Sequence, residues 1–239
     1  MNATPVENPT IPPRSTVGYL AMQWSTDGGW AYGSGALIDD RHVLTCSHNL
    51  IDALTDPLPR GQATQVFFYR AYNQARPADP PPSGARVSAG YFNVNFRNGQ
   101  DAWDVGVCLL AAPVQVPPPF AYFQPTVTGE EIVGENVKLT GYPGPHRGRM
   151  YEDVDPVDGV HIDTNTLIYT HDTWGGNSGS PVWTYDTDHD RVLQHGIHVS
   201  RQPMELRRAV LVTRPVLSWI QYACGQPAPA GGGFTLIGL

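Results

Sequence analysis

The sequence predicts an all-β protein, two antiparallel β-barrels joined at mid-chain and closed by one C-terminal helix. Three observations carry that prediction. Short apolar runs recur from Val17 onward, 25 Gly and 23 Pro punctuate 239 residues, and one proline-dense break, APVQVPPPFAYFQP at 112–125, splits the runs into two sets. Runs of this length bounded by turn residues are strand signals, and many of them with only one late helical pattern place the chain in the all-β class.

The elements follow in order. Residues 1–16 are polar and proline-rich and read as an N-terminal arm. The first barrel is expected over 17–112. VGYLAMQW (17–24), WAYGSGALI (30–38) and HVLT (42–45) are strands separated by DGG and DDR, and SHNLIDAL (47–54) reads as a short helical turn. TQVFFYRAY (64–72) and ARVSAGYF (85–92) are further strands. DVGVCLL (104–110) is almost continuously apolar, the pattern of a strand buried on both faces. Residues 113–126 read as a surface connector.

The second barrel and the helix are expected over 127–224. Its strands are NVKLTGYPG (136–144), GRMYEDV (148–154), NTLIYTH (165–171), SPVWTYD (180–186), RVLQHGIHV (191–199) and RRAVLVT (207–213). RPVLSWIQYAC (214–224) has helical spacing of apolar residues. The tail, 225–239, reads as flexible. Its end, FTLIGL, is open between an extra strand, a tag and disorder.

Composition excludes several functions. The formal net charge is −7 and Lys138 is the single lysine, which argues against a nucleic-acid partner. No run reaches the roughly 18 apolar residues that span a bilayer, so no membrane partner is expected. The N-terminus shows no signal-peptide pattern, which leaves a cytosolic chain or one whose targeting sequence has been removed. Cys46, Cys108 and Cys224 form an odd set and are expected as free thiols. A monomer without a metal or other cofactor is expected.

The chemistry gathers around TWGGNSGSPVW, residues 173–183. Such a cluster of small residues either makes a turn or clears side chains away so that N–H groups and a hydroxyl face a substrate. A serine hydroxyl becomes a nucleophile only when a histidine takes its proton and a carboxylate fixes the histidine's tautomer. His48 follows the apolar strand VLT at the head of a short turn, a rigid place. Asp104 opens a buried strand, where a carboxylate must find a partner for its lost hydration. Asp101 is the rival, without an apolar strand directly after it.

GSGALI with VLTCSH, WDVGVCLL, LTGYPG, GGNSGSPV and GIH, in this order over roughly residues 17–222, resemble the chymotrypsin-like serine proteases. More narrowly they resemble the bacterial glutamyl endopeptidase branch. The chain order His, Asp, Ser differs from that of the α/β-hydrolases, and GNSGS is not their G-x-S-x-G elbow. The resemblance implies two six-stranded antiparallel barrels and a serine endopeptidase acting on protein or peptide. It makes His48, Asp104 and Ser178 the triad, and the N–H groups of Gly176 and Ser178 the oxyanion hole.

It also implies a pocket for the residue before the scissile bond. Asp172 lies where trypsin-like members keep a carboxylate for Arg or Lys, yet the glutamyl branch often carries an Asp-Thr pair there. In that branch a Thr hydroxyl and the histidine of GIH meet an acidic side chain, here Thr173 and His198. The chain departs from the branch after His198, where Val199, Ser200 and Arg201 replace Trp-Gly-Gly. Arg201 is open between a second cation for an acidic substrate, a partner for Asp172, and a narrowing of the pocket. Members also use a processed N-terminal amine near the pocket, and Met1 onward shows no match. The expected preference is acidic. The alternatives are cleavage after Arg or Lys, and a non-catalytic protein-binding member of the fold.

Other residues carry no assigned chemistry. DTDHD (186–190) reads as a hairpin tip and EDVDPVD (152–158) as a solvated loop. His161, His171, His189 and His195 lack zinc-site spacing. Cys46, two residues from His48, reads as a packing residue.

Overall fold

The computed structural model describes residues 3–26, 28–52, 61–74, 83–96, 101–115, 121–123, 129–146, 148–161, 164–199, 207–230 and 233–239. Thr4–Pro5 forms β1. One sheet then takes β2 (Val17–Trp24), β3 (Trp30–Leu37), β4 (His42–Thr45), β5 (Ala63–Arg70), β6 (Ala85–Phe92) and β7 (Gly106–Leu110). Ala121–Phe123 is β8. The other sheet takes β9 (Asn136–Gly141), β10 (Tyr151–His161), β11 (Thr166–Tyr169), β12 (Pro181–Asp186), β13 (Arg191–His198) and β14 (Arg207–Leu211). Helix α1 (Arg214–Cys224) and β15 (Thr235–Gly238) complete the chain.

Both sheets close. β2, β3, β4, β7, β6 and β5 form one six-stranded antiparallel barrel, sealed by the β6–β7 and β2–β5 pairings. β9, β10, β11, β14, β13 and β12 form the other, sealed by β9 against β10 and β12. Closure leaves no barrel strand with a bare edge along its whole length. Leu20, Met22, Leu37, Val43, Phe68 and Cys108 fill the first interior, and Val137, Leu139, Leu167, Tyr169, Val182 and Leu211 fill the second.

A third apolar cluster joins the barrels to the helix. Leu44, Cys46, Val105 and Val107 from the first barrel meet Ile197, Val199, Val210 and Val212 from the second. Val216, Ile220 and Ala223 close it from α1, on the one face that their spacing predicts. The Thr213 side chain caps the helix by accepting from the Val216 N–H, and Pro215 occupies the first turn, where a missing N–H costs nothing. The three cysteines are free.

Three expectations are corrected. The tail does not trail away over its whole length: Thr235–Gly238 pairs in parallel with β6, and Ile237 and Leu239 pack on the central cluster. Apolar residues facing an open sheet flank supply the reason, and Trp219 Nε1 donates to the Leu239 carbonyl at 3.4 Å. EDVDPVD is not a loop but part of the eleven-residue strand β10, whose Asp153 side chain turns inward while Val154 faces out. Within the 113–126 connector, Ala121–Phe123 runs parallel to β13 as a short added strand.

The arm lies along the second barrel. Thr4 and Pro5 pair with Glu152 and Tyr151, and Arg14 makes a two-pronged bond to the Glu152 carboxylate at 3.0 and 2.7 Å. Residues 186–190 form the expected hairpin tip, with the Asp186 carboxylate bound by His189 and Arg191. Among the described residues no helix is long and apolar enough to cross a membrane.

Candidate active site

His48 stands on a single 3-10 turn, Ser47–Asn49, directly after β4. Each neighbour pins that turn. Ser47 Oγ donates to the Val105 carbonyl at 2.7 Å, and Asn49 Nδ2 donates to Thr45 Oγ1 at 2.9 Å. Asp104 sits two residues ahead of β7, the neighbour of β4, so the sheet register carries it to His48. One carboxylate oxygen accepts the His48 backbone N–H at 2.8 Å and the other meets ring Nδ1 at 2.5 Å. Asp104 is 0% exposed. A buried carboxylate accepting at Nδ1 sets the tautomer, with the proton on Nδ1 and the lone pair on Nε2. Nε2 lies 3.6 Å from Cys46 Sγ, and the thiol itself is buried in the central cluster.

Ser178 comes from the loop before β12, in the other barrel, and first-barrel groups hold it in place. Its carbonyl accepts the Ser34 N–H at 2.8 Å and Asn49 Nδ2 at 3.0 Å. Gly179, at φ +86°, lies so close to the first barrel that a Cβ there would stand 2.1 Å from the Ser34 carbonyl oxygen and 2.2 Å from Thr45 Oγ1. Only glycine combines that backbone angle with that contact. Ser178 and His48 thus line one cavity of about 380 Å³. No hydrogen bond joins Ser178 Oγ to the His48 ring, and catalytic bonds of this kind commonly tighten only once a substrate is bound.

The GGNSGS loop is organised around its N–H groups. Those of Asn177, Gly179 and Ser180 are taken by the carbonyls of Trp174, His198 and Asn177. Among the described residues those of Gly176 and Ser178 have no acceptor. Gly176 has φ +100°, and a Cβ on it would stand 2.5 Å from the Tyr142 carbonyl oxygen. Its carbonyl is held by Ser34 Oγ, which donates to it at 2.8 Å and accepts the Tyr142 N–H at 3.0 Å. Two N–H groups without an acceptor beside a hydroxyl are the kind of donor pair that a developing oxyanion requires.

Behind the serine, Thr173 and His198 are buried at 7% and 1% exposure. Tyr169 OH lies 2.7 Å from His198 Nδ1. Burial, joined by the charges of His171, His48 and Arg207, pushes the His198 pKa down to about 3, and burial raises the Tyr169 phenol well above its usual range. Both groups are therefore neutral at neutral pH. The arrangement that leaves no buried hydroxyl unpaired has Tyr169 donating to Nδ1, with the His198 proton on Nε2.

Asp172 joins this wall through its backbone, whose N–H donates to Asp153 Oδ2 at 2.7 Å. Its charge, with those of Asp153 and Asp158, adds to the burial that raises the Asp155 carboxyl. Arg201 lies outside the described residues, as do Met1 and Asn2. His171 is buried, with Nδ1 3.4 Å from Asp153 Oδ2 and its ring edge-on to Tyr169. His195 bonds Thr184 and is pushed down to about 4 by burial, away from the cavity.

Sequence reasoning missed Tyr169, Ser34 and Asn49. Tyr169 lies two residues ahead of His171 on a predicted strand, and its partner His198 is 29 positions away. Nothing local reveals that meeting. The signal for Ser34 and Asn49 is weaker still, a hydroxyl between two glycines and an amide next to His48.

A family model described as a trypsin-like peptidase domain matches residues 33–190. A glutamyl endopeptidase of Bacillus licheniformis is 28% identical over 182 residues, 75% of this chain and 52% of that protein. One of Staphylococcus epidermidis is 29% identical over 165 residues, 66% of this chain and 51% of that protein. The chain thus spans about half the length of these relatives. A solved Glu endopeptidase structure covers 94% of this chain and 97% of its own, at 18% identity and a TM-score of 0.72. The protease Anisep from Arthrobacter nicotinovorans gives 93%, 98%, 18% and 0.67, and both show a shared fold. The domain match takes in more than half of the sequence, and on that ground the protein belongs to the trypsin-like peptidase family.

Proposed function

We propose that this chain is a serine endopeptidase that hydrolyses peptide bonds through Ser178, His48 and Asp104. The observation that carries the reading is the double hold of buried Asp104 on His48, with Ser178 on the wall of the same cavity. His48 Nε2 takes the Ser178 proton as Oγ attacks the peptide carbonyl. The N–H groups of Gly176 and Ser178 receive the negative oxygen. His48 then protonates the leaving amine, and water hydrolyses the acyl-enzyme by the same path. Losing one oxyanion donor typically costs about 2.7–4 kcal/mol of barrier.

The preferred residue before the scissile bond is acidic. Thr173 offers a hydroxyl, and His198 offers an Nε2–H held in position by Tyr169. The names of the relatives support the same preference. A bound carboxylate would in addition favour the protonated imidazole.

Labelling by a fluorophosphonate tests the chemistry: wild type labels at Ser178, and Ser178→Ala and His48→Ala do not. Cleavage-site profiling of a peptide mixture tests the preference, with Ser178→Ala as the control. Cuts mainly after Glu or Asp are expected, and cuts mainly after Arg or Lys would overturn the acidic assignment.

A further inference from the structure

The cavity beside Ser178 and His48 extends away from the Thr173–His198 wall. Asp172, Thr173 and His198 do not line it; Gly175 and Gly176 do. Its far side is built by the β2–β3 hairpin of the first barrel, through Tyr19, Trp30 and Tyr32, with Tyr142 from the end of β9. Three of these rings, Tyr32, Tyr19 and Tyr142, touch in series. Tyr19 stacks on Tyr32 with centroids 5.1 Å apart and planes within 11°, and Tyr142 meets Tyr19 edge-on at 5.4 Å. Trp30 leans on Phe67 at 6.1 Å. Tyr19 and Tyr142 are buried, while Trp30 and Tyr32 are half-buried and form the rim. Among the described residues no Asp, Glu, Lys or Arg lines the cavity.

We infer that this aromatic wall is a binding site for a large apolar side chain on the residue immediately after the scissile bond. The inference rests on the peptidase reading and adds to it a second specificity element on the opposite side of the bond.

Direction follows from the chemistry. With the substrate carbonyl oxygen at the Gly176 and Ser178 N–H groups, the side chain before the bond goes toward Thr173 and His198. The leaving half must then run past His48, whose Nε2 protonates its nitrogen. The space on that side is the aromatic cavity. Its volume of about 380 Å³ lies within the roughly 300–1,000 Å³ of ordinary ligand clefts. Aromatic walls reward apolar and aromatic occupants through area and ring contact. A charged occupant would lose hydration, and none of the described lining residues offers it an ion pair. The enzyme then selects a pair of residues, acidic before the bond and large apolar after it.

Two measurements test this. Peptides share one acidic residue before the bond and carry Phe, Leu, Gly or Asp after it. The expected kcat/KM favours Phe or Leu over Gly and Asp by roughly 10- to 100-fold, the scale of burying one large apolar side chain. In the second measurement an amino-acid amide competes with water for the acyl-enzyme: its amine attacks the acyl carbon and Ser178 Oγ leaves. Phenylalanine amide should capture the acyl group well ahead of glycine amide. Trp30→Ala and Tyr32→Ala should collapse both ratios.

A wild type that labels with fluorophosphonate yet shows no preference in either measurement overturns this inference and leaves the peptidase reading standing. A preference untouched by both substitutions overturns the assignment to this wall. A wild type that neither labels nor cleaves removes the peptidase reading, and this inference with it. The wild-type profile is decisive even where a variant fails to fold.

Discussion

Asp104 grips His48 twice from a fully buried position, at the backbone N–H (2.8 Å) and at ring Nδ1 (2.5 Å). The first bond fixes where the turn sits, and the second fixes which ring nitrogen carries the proton. Asp104→Asn keeps the volume and an acceptor for the backbone N–H, but allows the wrong tautomer. A fall in kcat of about 10⁴-fold at neutral pH is expected. Steady-state kinetics on a peptide ester checks it, with circular dichroism confirming the fold; near-normal kcat in a folded variant would remove Asp104 from the mechanism.

Gly179, next in the chain to Ser178, carries a close contact between the barrels. Gly179→Ala must hold φ +86° and place a methyl group against the Ser34 carbonyl. The backbone angle alone costs about 1–2 kcal/mol, before any clash. Thermal denaturation should show a clear loss of stability, and active-site titration a loss of functional sites. An unchanged melting curve with full titration would contradict the packing described.

Tyr169→Phe removes the hydroxyl that holds His198 in one tautomer. The net loss of such a bond is about 0.5–1.5 kcal/mol, so KM for a substrate with Glu before the bond should rise several-fold. Activity toward a matched substrate with a neutral residue there should change far less. Equal effects on the two substrates would make Tyr169 a general packing residue.

His198 and His195, with pKa values pushed down to about 3 and about 4 from an ordinary 6.5, set an acid limb of stability. Below 6.5 the unfolded chain takes up protons that the folded one refuses. Stability is therefore complete above 6.5 and falls as the pH drops toward 4 and then 3. Each pH unit crossed costs up to about 1.4 kcal/mol per imidazole. Asp39 and Asp153, held below the usual carboxylate range, add their loss only below about 3.8. Urea denaturation between pH 7 and 4 should show the decline, and His195→Gln should flatten part of it. A flat profile in that window would contradict the burial of both rings.

The C-terminal strand is an added strand on the flank of the first barrel. Deleting residues 234–239 exposes the flank of β6 and removes Phe234, Leu236 and Ile237 from their apolar neighbours. At about 25 cal/mol per Å² of apolar surface, partial burial of three such side chains amounts to on the order of 2–4 kcal/mol. Differential scanning calorimetry should register it, and an unchanged transition would mean the strand adds nothing to stability.

Much of the fold was legible from residue pattern. The strands at 17–24, 42–45 and 85–92 and the helix at 214–224 stand where alternation and helical spacing place them. Their apolar faces have one possible destination. EDVDPVD was not legible, because its charges suggest a solvated loop, while Asp153 is held inside by His171 and the Asp172 N–H. FTLIGL left its options open, because a four-residue apolar strand carries no sign of which sheet flank it will find.

The linear chain by itself determined the strands of the two barrels, though not the added strands β1, β8 and β15, together with the barrel interiors and the three segments on which His48, Asp104 and Ser178 stand. These depend on local periodicity and residue type, which any short window contains. Tertiary structure alone decided the Tyr169–His198 bond, the seat of the Ser178 carbonyl on Ser34 and Asn49, and the aromatic wall made by two barrels together. Each of these joins groups far apart in the chain, and their meeting is set by barrel closure and sheet register, which no local pattern encodes.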